Sequence, residues 1–286
     1  MFANVRFFLH AGALAVALLA VSCAASVSEK DAARAASLNK QGLSSFQSQI
    51  YPRALEFFLE AQQLNPTEAE YPNNAGMTYL RLNQVEPALE SFNAAIAIRP
   101  RLPMYHYNLG LAHIRAKDRA AALASFQKAV ELDSEYFDAS AYLGLLYYQN
   151  GDYKQAAKHW ENASALRENA EIETNLGMTY LELADVAAAE KTLLRATRID
   201  PNYGMAHYNL GVFYQQQEQF EKAANSYMRT TELLPEKFET YLNLGIVQTN
   251  LEQKAQAKKS LERFLQLAPP QLKQQIADAK KRIADL

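Results

Sequence analysis

The chain has 286 residues, and its 29 basic and 31 acidic side chains give a formal net charge of −2 at pH 7. Because the charges nearly cancel and no basic stripe runs along the chain, the sequence argues against nucleic-acid binding. A single cysteine excludes an intramolecular disulfide. Length alone suggests two globular domains, but the internal repetition of the chain overrides that expectation.

Residues 1–22 differ in character from the rest of the chain. Arg6 is their only charge, and residues 7–21 are almost wholly apolar, yet too few to span a bilayer as a stable helix. This pattern is typical of a secretory signal. The run LAVSC at 19–23 resembles a bacterial lipobox, in which the signal is cut before the cysteine and the thiol carries a lipid. We predict a lipoprotein signal peptide over 1–22 and lipidation of Cys23; an ordinary signal peptide with Cys23 incidental is the alternative.

A lipid on this cysteine would place the chain outside the cytoplasm. We expect it in the bacterial cell envelope, facing the periplasm, with residues 23–34 as a short tether. Ala24 rather than aspartate follows the cysteine, and the resemblance to enterobacterial lipoproteins then favours the outer membrane over the inner. A soluble secreted protein is expected if Cys23 carries no lipid.

A glycine column spaced by 33 or 34 residues dominates the rest of the chain. Its members are Gly42, Gly76, Gly110, Gly144, Gly177, Gly211 and Gly245. Twelve residues after each glycine stands an alanine, and sixteen after it an aromatic residue recurs as Phe58, Phe92, Phe126, Trp160 and Tyr227. Proline recurs twenty-four residues after it at Pro66, Pro100, Pro201, Pro235 and Pro269. Apolar residues at helical spacing predict two short helices per unit, with small residues where the helix axes approach and proline ending the second helix.

This pattern resembles the tetratricopeptide repeat (TPR) family. The sixth repeat shows the motif most fully, as Tyr208-Asn209-Leu210-Gly211 followed by Tyr214, Ala223, Tyr227 and Pro235. The resemblance covers residues 35–271 as seven tandem repeats and implies an all-α fold, a right-handed α-α superhelix called a TPR solenoid. The fourth repeat departs from the pattern because it is one residue short and lacks the final proline. Residues 272–286 are predicted to form a capping helix, with partner docking or dimerisation as the alternative.

No catalytic constellation is visible in the sequence. The five histidines show no HExxH spacing, no second cysteine could share a zinc ion, and no phosphate-binding loop or nucleophile elbow occurs. We therefore predict that the protein is not an enzyme and uses no metal and no cofactor.

The TPR resemblance implies a binding surface on the first helix of each repeat. Counting the repeat glycine as position 8, the family exposes positions 2, 5, 9, 12 and 13 on its concave face. These positions are mostly apolar here, and the predicted partner-binding residues are Met77, Leu80, Met104, Tyr107, Leu111, Ile114, Leu145, Tyr148, Met178, Leu181, Met205, Tyr208 and Val212. The asparagine and lysines of a carboxylate clamp are missing. We expect the partner to be a protein or peptide with an apolar or amphipathic segment, unless these residues serve mainly to pack adjacent repeats.

A shift of 101 residues superposes two blocks of three repeats, so that HYNLG at 106–110 falls on HYNLG at 207–211. This indicates duplication, either as ancestry alone or as two similar groove patches. The sequence as a whole predicts a membrane-anchored TPR lipoprotein that acts as a protein-interaction scaffold. A pilotin-like assembly factor for a pilus or secretion secretin, and a periplasmic adaptor for an envelope hydrolase, are narrower alternatives.

Overall fold

A computed structural model describes residues 27–286, so the predicted signal peptide and Cys23 lie outside the described residues. The described chain is helical throughout, and no strand occurs in it. It divides into two compact units, the first ending at Pro100 and the second spanning Arg101–Leu286. The first unit contains α1 (Glu29–Gln47), α2 (Tyr51–Leu64), α3 (Glu70–Arg81) and α4 (Val85–Ile98). The second contains α5 (Pro103–Arg115), α6 (Arg119–Leu132), α7 (Phe137–Gln149), α8 (Tyr153–Leu166), α9 (Ala170–Glu182), α10 (Val186–Ile199), α11 (Gly204–Gln216), α12 (Phe220–Leu233), α13 (Phe238–Asn250), α14 (Lys254–Leu267) and α15 (Lys273–Asp285).

The first helix begins earlier than the repeat pattern suggests. Residues 23–34 are predicted to be a tether, but α1 starts at Glu29. The reason is local: Ser28 adopts an extended conformation, and its hydroxyl oxygen accepts a hydrogen bond of 3.0 Å from the Asp31 backbone N–H. Acidic Glu29 and Asp31 in the first turn also suit the positive end of the helix dipole.

Helices α1 to α14 form seven pairs, and the glycine column is the point of closest approach within each pair. A Cβ atom placed on any of the seven glycines would come within 2.5–2.7 Å of the side chain sixteen residues later. In five pairs that side chain is an aromatic ring, as the sequence predicts. In the other two it is Leu193 or Leu261, which occupies the same place without being aromatic.

Each first helix ends in a left-handed residue. The residue seven positions after every repeat glycine has φ between +54° and +77°; the set is Gln49, Asn83, Lys117, Gly151, Ala184, Glu218 and Glu252. At the end of α9, Ala184 N–H donates to Leu181 O at 3.0 Å and Asp185 N–H donates to Tyr180 O at 2.9 Å. These are the two bonds of a Schellman motif, which reverses the chain and starts the second helix.

The second helices end where the prolines predict. In all five repeats with a final proline, the helix stops two residues before it. The link between α8 and α9 consists of residues 167–169, which is three residues, whereas the links from α6 to α7, α10 to α11 and α12 to α13 each have four. The fourth repeat is therefore shortened in this link. There the Asn169 side chain caps α9 by accepting a hydrogen bond of 3.0 Å from the Ile172 backbone N–H.

Helix α15 packs on the last pair. Its Ala279 is fully buried, and Ile276 and Ile283 pack against Leu261 and Phe264 of α14. The opposite side of α15 is polar and exposed, because it carries lysine and glutamine side chains. Among residues 27–286, no helix combines the length and the apolar character that crossing a membrane requires.

Candidate partner-binding surface

The first helices of the second unit carry a buried stripe and, beside it, a partly exposed one. In α5, Tyr105, Asn108 and Ala112 are buried, whereas Met104, Tyr107 and Leu111 keep part of their surface exposed. The spacings of three and four residues place each set on one side of the helix. The partly exposed stripe corresponds to positions 2, 5 and 9, so it forms a row of apolar side chains that are available for contact.

All thirteen predicted partner-binding residues keep some exposure. Met77 and Leu80 lie on α3 of the first unit, and the other eleven lie on α5, α7, α9 and α11 of the second. Met104 and Leu145 are the most exposed, at 40% and 38%. Tyr107, Leu111 and Ile114 are half-buried against the α6–α7 core, and Leu181, Tyr208 and Val212 against the core around Tyr227. These side chains thus pack between helices and also face outward.

In the third and sixth repeats, the tyrosine at position 5 packs against the buried aromatic side chain of the same repeat. The Tyr107 ring lies 5.7 Å from the Phe126 ring, and the Tyr208 ring lies 6.0 Å from the Tyr227 ring, with similar tilts of 50° and 55°. The two patches related by the 101-residue shift therefore have the same ring arrangement.

The tyrosines of this stripe have raised pKa values. Burial is the main cause that raises the pKa of Tyr107, and the Tyr142 and Asp138 groups add to it. Burial likewise raises the pKa of Tyr148, with Glu182 contributing, and of Tyr208, with Glu239 contributing. Burial is the largest cause of each shift, and one carboxylate near each tyrosine adds to it because a negative charge disfavours the tyrosinate.

A cleft opens in the same face between α7 and α9. It has a volume of about 340 Å³, which is in the lower range of ligand pockets. Its lining comprises Phe137, Asp138, Ala141, Tyr142, Leu145, Trp160, Arg167, Asn169, Glu171, Ile172 and Asn175. Trp160 is only 3% exposed, and its indole N–H has no hydrogen-bond acceptor among residues 27–286. A buried donor without an acceptor is uncommon and costly.

A second cleft lies against α8 and α10. Its centre is the Glu173 carboxylate, 1% exposed, which accepts a short hydrogen bond from Ser164 Oγ and pairs with Arg195 Nη1 at 3.0 Å. At its edge, Tyr180 Oη donates to Glu161 Oε1 at 2.6 Å. Its polar groups satisfy one another, which is the arrangement of a structural ion-pair network rather than of a ligand site.

Sequence reasoning missed the α7–α9 cleft. Of its lining residues only Leu145 is among those predicted to bind a partner, and Trp160 appears in the sequence only as one member of the recurring aromatic column. The available signal was the position-5 column, which reads Tyr107, Ala141 and Tyr208 in the third, fourth and sixth repeats. Cys23, the predicted lipidation site, lies outside the described residues.

Family models for TPR repeats match residues 76–116, 107–171, 143–203, 192–224 and 238–271. These matches cover most of the chain from the second glycine onward, and the helix pairs observed there have the register that the motif requires. The chain belongs to the tetratricopeptide repeat family. The pair α1–α2 precedes the first match, yet Gly42 and Phe58 meet there as in the other TPR units.

The TPR fold is also found in solved structures similar to this chain. YrrB, described as a TPR protein with an unusual peptide-binding site, is 25% identical with a TM-score of 0.57, and the match covers 68% of this chain and 100% of YrrB. The C-terminal part of a TPR protein from Cytophaga hutchinsonii is 16% identical, with a TM-score of 0.68 over 84% of this chain and 98% of that one. PilF of Pseudomonas aeruginosa is 19% identical, with a TM-score of 0.62 over 74% and 97%. The last two show likeness of fold alone, and a search of curated protein sequences gives no match.

Proposed function

We propose that this TPR protein is a lipid-anchored scaffold of the bacterial cell envelope, which holds a partner protein on the apolar stripe of its first helices. The observation that carries the proposal is the row of partly exposed Met, Leu and Tyr side chains on α5, α7, α9 and α11. Apolar surface that remains exposed in a folded chain is typical of partner sites, and helices presented side by side give an extended one. The peptide-binding site named for YrrB supports this mode of action.

Exposed apolar residues also occur outside this stripe. Leu194 on α10 and Met228 on α12 are 38% and 42% exposed, close to the values for Leu145 and Met104. Partner binding by the second helices is therefore the competing hypothesis, and these residues make matched controls.

The test is a pair of double variants of the mature protein. Met104→Lys with Leu145→Lys places charge on the first-helix stripe, and Leu194→Lys with Met228→Lys places the same charge on second helices. We expect the first pair to lose partner crosslinking from intact envelopes and the second pair to retain it, because lysine keeps a hydration shell that apolar contact would remove. The reverse result would reject the first-helix stripe. Unchanged circular dichroism shows that both variants fold.

Membrane attachment is tested separately. Cys23→Ala removes the thiol that lipidation requires, so we expect the protein to move from the membrane pellet to the soluble fraction. Two or more acyl chains are needed for stable anchoring, and continued sedimentation of the variant would argue against a lipid at this residue. The narrower hypotheses of a pilotin-like factor or a hydrolase adaptor share these features and stay predictions.

A further inference from the structure

The α7–α9 cleft lies where a neighbouring repeat holds one of its own tyrosine rings. In the third repeat the Tyr107 ring lies 5.7 Å from Phe126, 5.3 Å from Tyr136 and 6.0 Å from Tyr142. Tyr107 stands three residues before its glycine, Phe126 sixteen after it, Tyr136 at the N-cap of the next first helix and Tyr142 two residues before the next glycine. These four positions therefore define a packed ring and its surroundings.

The fourth repeat has no tyrosine ring at this place. The four equivalent positions are Ala141, Trp160, Asn169 and Asn175, and all four line the cleft. Ala141 replaces the tyrosine, and Asn169 in the shortened link replaces the bulky N-cap residue. Two independent sequence changes thus leave open the space that Tyr107 fills in the preceding repeat.

The sixth repeat shows how a tyrosine hydroxyl is bound at this place. Tyr208 stands three residues before its glycine, as Tyr107 does, and Asn243 Nδ2 lies within 3.4 Å of Tyr208 Oη. Asn175 occupies the position equivalent to Asn243, two residues before its own glycine. The fourth-repeat cleft therefore offers an amide at the position that meets the hydroxyl in the sixth repeat.

The charges at the rim favour a basic partner. Asp138 and Glu171 line the cleft and place two carboxylates at its rim. Arg167 lies 3.8 Å from Asp138 and 3.6 Å from the Phe137 ring centre, so it is engaged within the rim. Within residues 27–286, Glu171 has no ion-pair partner. Complementary charge is the usual means by which such a rim selects its partner.

We propose that the α7–α9 cleft binds a tyrosine side chain of the partner, presented in a segment with basic residues on both sides. The inference rests on the proposed function, because it assigns a subsite to the same first-helix stripe. The partner ring would take the place that Tyr107 and Tyr208 take in their own repeats, with Trp160 beneath it and Asn175 beside its hydroxyl.

The chain carries its own reporter for this test. Trp160 is the only tryptophan, so selectively excited tryptophan fluorescence reports on the cleft alone. The probes are short synthetic peptides with a central tyrosine between lysines, a central serine between lysines, and a central tyrosine between glutamates. We expect the first probe to change Trp160 fluorescence in a saturable way and the other two to bind about tenfold more weakly, because they lose ring burial or charge complementarity. Equal binding of the serine or glutamate probe would overturn the proposal.

Larger side chains at Ala141 would fill the cleft and provide variants for a matched comparison. Ala141→Tyr supplies the ring that the third and sixth repeats already carry, and Ala141→Leu supplies a smaller side chain. Both should keep native helicity and bind the lysine–tyrosine probe at least about tenfold more weakly by calorimetry. Ala187→Tyr adds the same ring at an exposed site on α10 and should bind as the unmodified protein does. Unchanged binding by the folded Ala141 variants would reject the cleft.

The two proposals fail in different ways. If Ala141→Tyr still crosslinks its partner while the Met104→Lys and Leu145→Lys pair does not, the stripe binds the partner and the cleft takes no part. If neither variant affects crosslinking, the first-helix stripe is rejected as the partner site, and the cleft with it.

Discussion

The contact between each repeat glycine and the side chain sixteen residues later determines how closely the two helices of a pair approach. At Gly110 an added Cβ atom would lie 2.6 Å from Phe126 Cε1, and Phe126 is fully buried. Since close-packed interiors relax only partly, an extra methyl group at this position must displace the ring or separate the helices.

Gly110→Ala should therefore destabilise the protein by about 1–3 kcal/mol, although alanine is the better helix former. Adding Phe126→Ala should remove much of the Gly110→Ala effect, because the clashing ring is gone. Urea unfolding of the two single variants and the double variant measures this coupling. Additive effects would show that the close contact does not limit packing.

His159 is the residue through which mildly acidic pH should affect stability. Its ring stacks on Tyr147 at 5.4 Å, and burial, with Lys158 as a secondary cause, lowers its pKa below the ordinary value of 6.5. Between 6.5 and the lowered value, the unfolded chain binds a proton that the folded chain does not, so stability falls as pH decreases through this window. Above pH 6.5 the contribution is absent.

The measurement is the free energy of unfolding as a function of pH for the unmodified protein and for His159→Gln. We expect a smaller loss of stability in the variant below pH 6.5. Parallel curves for the two proteins would assign the pH dependence to other groups.

At the scale of the element, the left-handed turn between the two helices of a pair is stabilised by the surrounding fold and not by the residue type at the turn. Within residues 27–286, seven left-handed residues occur at one register, and Gly151 alone among them is a glycine. Other residues pay a steric cost there, and the Schellman bonds together with packing of the two helices hold them in place.

Ala184→Gly should raise the free energy of unfolding by about 0.5–1 kcal/mol, because the steric relief at φ of +57° exceeds the entropy that glycine adds to the unfolded chain. Ala187→Gly on the exposed face of α10 is the control and should lower it by about 1 kcal/mol. Thermal unfolding of the two variants checks both signs, and a loss of stability at Ala184 would contradict the argument.

At the scale of the whole molecule, α15 covers the apolar end of the last helix pair. Ile276 and Ile283 are half-buried against Leu261 and Phe264. Replacing both isoleucines by serine should raise hydrogen exchange mainly in α13 and α14, because repeat units depend most on their neighbours. Lys280→Ala with Lys281→Ala changes exposed positions of the same helix and should leave exchange unaltered. A uniform rise across the second unit would show that the end of the stack is not an independent unit.

Most of this architecture could be predicted from the sequence, because a repeat shows each contact seven times. The glycine contacts and the helix ends before proline follow from that redundancy. Leu193 and Leu261 were not predicted, because leucine at the aromatic position gives no distinct signal. The α1 start was missed since Ser28 precedes the repeat pattern and acts as a local cap.

The cleft could not be predicted for a different reason. The cleft exists because Ala141 is small where the preceding repeat has a tyrosine. Its other lining residues come from two successive repeats, which lie side by side only in the folded chain. The shortened link also shifts the numbering of Asn169 and Asn175 by one residue relative to the preceding repeats. The ion pair of 3.0 Å between buried Glu173 and half-exposed Arg195 was also not predicted, because the two residues lie on different helices and belong to no repeated column.

The early start of α1 has a consequence for how the protein would sit on a membrane. Glu29 is the sixth residue after Cys23, and six residues of fully extended chain span at most about 20 Å. Helix α1, with 19 residues, is itself about 28 Å long. With a lipid on Cys23, the distance from the bilayer to the first turn of α1 would be at most about 20 Å, which is shorter than that helix. A protease added from the periplasmic side would then have little room to cut between the bilayer and α1.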